Sequence, residues 1–144
     1  MKQNVTYSIG NVALIDKINE KFGLFDSCFD GVFGRAKDVK ETAKALTANR
    51  LGECVSTHRL TEVYPSEFFC ELGFKETPAE RNLYRNIERI GRHCPILLER
   101  YQSLVKKHGL VSAEQFMDFS SSYFEGNKSE LGALGYSRDS QPGK

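Results

Sequence analysis

Apolar residues along the first hundred positions recur every three or four residues, and only the last thirty-odd change to alternation. The first helical stretch opens at Asn11, a residue suited to capping, and runs from Val12 to about Phe22. Leu14, Ile15, Ile18 and Phe22 form its apolar face, and Gly23 ends it. Upstream, Val5, Tyr7 and Ile9 alternate as in a short strand. Phe25 to Gly34 is aromatic and glycine-bearing, which suits a packed connection or a short helix. A helix from Asp38 to about Leu51 follows, with Val39, Ala43, Leu46 and Arg50 on one side and Gly52 beyond its end. Ser56 is placed to cap a segment carrying Leu60, Val63 and Tyr64. Pro65 breaks that segment, and Gly73 stops a further short helix over Ser66 to Leu72.

Thr77, Pro78, Ala79 and Glu80 read as a capping box, with a proline at the first helical position. The helix they open should run to about His93, and Pro95 should restart a second one ending at His108 and Gly109. Lys106, Lys107 and His108 complement the carbonyl end of that helix. After Gly109 the period becomes two, so a module boundary is expected there: a helical module over 1–109 and a strand-like tail over 110–144.

Bulk composition narrows the class without choosing within it. At 144 residues the chain holds one domain, or one domain and part of another. Apolar residues at 40% and charged residues at 27% are ordinary for a soluble globular protein. No apolar run approaches a membrane span and no apolar signal segment follows Met1, so a cytoplasmic location without membrane association is expected. Cys28, Cys54, Cys70 and Cys94 show no metal-ligand spacing and are expected to be small buried thiols. His58, His93 and His108 have no paired spacing and suit caps or surface positions.

The distribution of charge matters more than its sum of +1. At about 100° per residue, Arg81, Arg85, Arg89 and Arg92 fall within an arc of roughly 80°, with Leu83, Ile87, Ile90 and Cys94 roughly opposite. From Lys75 to Lys107 there are eight Lys or Arg against four Asp or Glu. Arginine's planar fork suits phosphate oxygens, so these four residues are the candidate DNA-binding set; the alternative is a solvated helix face. The helices Asp38–Leu51 and Ser56–Tyr64 resemble a helix-turn-helix in outline, with Thr57, His58, Arg59 and Thr61 as polar groups on the second. In the tail, Asp118 sits between Met117 and Phe119, where a carboxylate must find water, a partner or a metal ion.

The tail also carries a family likeness. Phe116, Met117, Asp118, Phe119 and Ser120 are followed by Tyr123, Phe124, Glu125 and Gly126, then by Gly135, Tyr136, Ser137, Arg138 and Asp139. In this order they resemble motifs of insertion-sequence transposases of the DDE class. Asn49, Arg50, Leu51 and Ser56, with Asn82 to Arg85 and Ile87 to Ile90, resemble that family's helical region. The resemblance implies a mainly α amino-terminal module followed by the first β-hairpin of an incomplete RNase H-like α/β domain. It makes Asp118 the first catalytic, metal-binding carboxylate, for the Mg2+ or Mn2+ of the intact family. It also implies binding to transposon-end DNA. The second Asp and the Glu of the family's triad have no counterpart in this chain. A truncated transposase-like protein, inactive alone, is therefore the expectation. The alternatives are a protein-interaction module that associates with an intact transposase, or a non-functional relic.

Overall fold

Small residues choose the centre of this fold. The computed structural model describes residues 9–111, and within them the helix over Val39–Leu51 (α3) packs against three other helices. Its buried positions are Val39, Thr42, Ala45, Ala48 and Asn49, at helical steps of three and one. Ala45 and Ala48 are fully buried, and their short side chains let neighbouring helices approach closely. This face is rotated from the expected one: Arg50 is exposed, while Ala43 and Leu46 pack at the margin of the core. Local pattern favoured the larger apolar side chains, whereas close packing selected the smaller ones.

Before α3 come α1, over Gly10–Phe22, and α2, over Leu24–Phe29. Gly23 joins them at φ 65°, a left-handed conformation that costs glycine little, and its N–H donates to the Asn19 carbonyl at 2.7 Å. Asn19 then serves α2, its Oδ1 accepting from the backbone N–H of Phe25 at 2.8 Å and of Asp26 at 3.2 Å. Asn11 does not cap α1. It lies inside the helix, and its buried amide donates to the Ala48 carbonyl in α3 at 2.8 Å.

A 3₁₀ turn over Thr57–Arg59 runs into α4, Leu60–Val63, and Pro65 separates this from α5, Ser66–Glu71. These short pieces supply much of the core: Leu60, Phe68 and Phe69 are fully buried, and Tyr64 stacks on Phe68 at a centroid distance of 4.1 Å. Burying a side chain of this size contributes about 1.5–3 kcal/mol. The link from α3 is tied by Asn49, whose amide donates to the Val55 carbonyl at 2.7 Å and accepts from the Val55 N–H at 3.0 Å.

Two longer helices complete the described part: α6, Glu80–Arg92, and α7, Cys94–Lys107, meeting at His93. Both boundaries lie close to those expected from Pro95 and Gly109. The capping box is a correction, because Ala79 is the N-cap residue, without a side-chain hydrogen bond, and α6 begins at Glu80.

The expected fold class is also corrected. Seven α-helices and one 3₁₀ turn account for the regular structure of the described residues, with no strand among them. The helical period persists to Lys107, and the described residues form a helical unit, not the start of an α/β domain. The hairpin of an RNase H-like domain is expected over 110–144, and its residues from Ser112 onward lie outside the described ones. The strand expected at Val5, Tyr7 and Ile9 also falls outside them, apart from Ile9, which is the N-cap of α1. The chain divides into two units, Met1–Val111 and Ser112–Lys144. No described helix is long and apolar enough to cross a membrane.

Candidate nucleic-acid interface on the sixth helix

The candidate arginines stand on α6, which is held by a narrow buried edge. Leu83 is fully buried, Asn86 is 3% exposed, and Ile87 and Ile90 are half-buried. Asn86 is the polar anchor. Its Nδ2 lies 3.2 Å from the Lys37 carbonyl, 3.1 Å from the Asp38 carbonyl and 3.0 Å from Thr42 Oγ1, while its Oδ1 accepts from Arg89 at 2.8 Å. A buried amide satisfied on both sides sets the rotation of α6 against α3 more sharply than apolar packing can, since each missed bond carries a desolvation cost.

That rotation decides what the four arginines do. Arg81 and Arg85 are exposed, and neither has a hydrogen-bond or ion-pair partner among the described residues. Arg89 is half-buried and committed to Asn86. Arg92 pairs with Glu88 one turn earlier on the same helix. The stripe therefore exists as a spatial arrangement, but two of its members already have partners.

The acids of α6 are engaged as well. The Glu80 carboxylate accepts from His58 Nδ1 at 2.8 Å, which links the start of α6 to the 3₁₀ turn. This hydrogen bond, helped by the charge of Glu80, raises the His58 pKa above its ordinary 6.5. His58 is fully exposed, so water screens much of the effect. Glu80 is hydrogen-bonded to His58 and Glu88 is paired with Arg92, so neither acid forms an ion pair with Arg81 or Arg85.

The helix-turn-helix outline fares less well. Its second helix is a three-residue 3₁₀ turn followed by a four-residue α-helix, too short to lie along a groove. His58 is held by Glu80, and Arg59 lies 3.7 Å from Glu62. The cysteine expectation is also corrected: Cys28 is buried, and burial pushes its thiol pKa up, whereas Cys54, Cys70 and Cys94 are exposed. His93 caps the α6–α7 junction, with Nδ1 2.9 Å from the Arg89 carbonyl, and the His108 ring meets Phe22 edge-on.

Asp118 lies outside the described residues, as do the motifs around it. Among the described residues, no three His, Cys, Asp or Glu side chains stand together as metal ligands.

Sequence reasoning missed two features. Arg100 of α7 donates to the Asp30 carbonyl at 2.7 Å and lies 3.4 Å from the carbonyls of Ser27 and Cys28, closing the end of α2. Lys40 bridges Asp26 and Asp30 at 2.8 and 2.9 Å, which pulls the Asp26 carboxyl below its usual range and raises the lysine. Neither has a local signature, because both join residues far apart in sequence. Compared with family models, with curated proteins and with solved structures, the chain matches none.

Proposed function

We propose that the helical unit binds duplex DNA through its phosphate backbone, with Arg81 and Arg85 of α6 as the contacting residues. One observation supports this reading above the others: two exposed guanidinium groups, without partners among the described residues, lie one turn apart on a helix whose acids have other partners. A spacing of four residues separates them by about 6 Å along the axis, within reach of phosphates along one strand. Guanidinium forks bind such oxygens bidentately. Arg89 and Arg92 belong to the same face in a secondary role, since each would first have to leave Asn86 or Glu88.

The biological setting that we attach to this binding is DNA transposition. Its support is the likeness of the Asp118, Glu125 and Asp139 segments to motifs of DDE-class transposases, and a cytoplasmic location is its corollary. The proposal is confined to binding and includes no metal-dependent cleavage.

The test is the salt dependence of duplex binding. Replacing Arg81 and Arg85 with Gln should lower the slope of log affinity against log salt by about 1.8, or about 0.9 for each phosphate no longer neutralised. Circular dichroism should show the helices retained, since Gln is a good helix former. An unchanged slope with intact helices would refute the proposal.

A second reading draws on α7. Leu98 and Tyr101, one turn apart on the same side of the helix, are 52% and 48% exposed, an apolar pair that suits contact with another protein, such as an intact transposase. Leu98→Glu separates the two readings, because it should abolish protein association and leave DNA binding intact.

A further inference from the structure

The loop between α2 and α3 runs along α6, on the side next to the arginine stripe. Two contacts place it. The ring of Phe33 lies 5.0 Å from that of His93, and the Lys37 carbonyl lies 3.2 Å from Asn86 Nδ2. On α6, Asn86 and His93 are about two turns apart and face nearly the same direction, roughly 20° apart at 100° per residue. Arg89 lies roughly 40–60° around the helix from them, and Arg85 roughly 80–100°. The segment from Phe33 to Lys37 therefore spans two turns of α6 at the border of its basic face.

The loop's own sequence sorts its side chains. Val32, Phe33 and Ala36 are half-buried, while Arg35 and Lys37 are exposed. The turn closes by the Ala36 N–H donating to the Phe33 carbonyl at 3.0 Å, with Gly34 at φ 56° between them. Neither Arg35 nor Lys37 has an ion-pair or hydrogen-bond partner for its side chain among the described residues. The preceding acids, Asp26 and Asp30, both pair with Lys40, whose single charge offsets one of the two. Asp38, which follows Lys37, offsets one of the two charges.

We propose that this loop is a second phosphate-contacting element, in which Arg35 and Lys37 extend the α6 surface onto the same DNA duplex. The proposal rests on the reading of α6 as DNA-binding. Two elements side by side cover more of a duplex backbone than one helix face can. The weaker affinity of a loop variant should therefore appear as reduced counterion release.

The full chain is titrated onto a short duplex over a range of salt concentrations, in three double variants with helical content checked. Arg35→Gln with Lys37→Gln should lower the log–log slope by about 1.8. Arg81→Gln with Arg85→Gln should lower it comparably. Lys106→Gln with Lys107→Gln, at the far end of α7, should leave it unchanged. A loop variant with wild-type slope beside a weakened α6 variant overturns the loop and leaves the α6 reading standing. If the lysine control drops as much as the loop variant, net charge explains the effect and the loop assignment fails. Wild-type slopes in all three variants, or no duplex binding by the unaltered chain, reject α6 and the loop together.

Discussion

The sixth and seventh helices are nearly equal in length and joined at His93, yet they spend their surfaces differently. Helix α6 buries Leu83 and Asn86 and turns charge outward, with its acids paired and two arginines without partners among the described residues. Helix α7 buries Leu97 and Leu104 and leaves Ile96, Leu98 and Tyr101 substantially exposed. Both are amphipathic, so periodicity alone does not separate their roles. The difference lies in what the outward face carries, because unpaired guanidinium groups suit a polyanion and exposed apolar side chains suit another protein.

The largest effect should come from the buried edge that holds α6. Leu83→Ala removes a fully buried side chain and should cost about 2–5 kcal/mol in urea or thermal unfolding. The matched change on α7, Leu98→Ala, should stay within about 0.5 kcal/mol, since half of that side chain is already in water. Equal costs at the two sites would erase the contrast between the helices.

Next in size is the polar anchor. Asn86→Ala removes the amide that the Lys37 carbonyl and Thr42 Oγ1 accept from, while the Asp38 carbonyl keeps its bonds from the Thr42 N–H and hydroxyl, and the change should cost about 1–3 kcal/mol. It also frees Arg89, so duplex binding should not weaken in any variant that remains folded at the assay temperature.

Glu88→Gln sharpens the comparison without disturbing the core. It releases Arg92 and should raise the salt slope of duplex binding by about 0.9 if that arginine then reaches a phosphate. The stability change should be no more than about 0.5 kcal/mol, because an exposed pair one turn apart contributes little.

The smallest effect concerns His58 and Glu80. The folded pKa of His58 is raised, so its contribution to stability is complete below pH 6.5, the ordinary histidine value, and is lost as pH rises through the higher folded value. NMR titration of the imidazole should show a midpoint above 6.5 that returns towards it in Glu80→Gln. Exposure keeps the accompanying change in stability slight.

Where local chemistry was enough, the sequence was legible. Gly23, Pro65 and Gly109 lie between or beyond helices, and Pro95 stands in the first turn of α7, as backbone geometry requires. The clustering of four arginines on one side of α6 follows from spacing alone. Which of them are unpartnered does not, because Asn86 and Glu88 occupy two of them through side-chain geometry that spacing leaves open. Asn11 and Asn49 were equally opaque. Asn11 reads as a cap in the sequence, yet it bonds across the core to α3, and Asn49 ties the link that follows α3.

The sequence by itself determined a helical unit up to Gly109, a net positive segment from Lys75 to Lys107, and the break in period that follows. These depend on residue spacing and backbone propensity, which act over a few positions. Tertiary structure decided the buried face of α3, the rotation of α6 and the placement of Arg35 and Lys37 beside it. Those depend on contacts between residues some fifty positions apart, such as Asn86 with Lys37 and Asp38. Such contacts form only when close packing and buried hydrogen bonds are satisfied together, a condition that no local window contains.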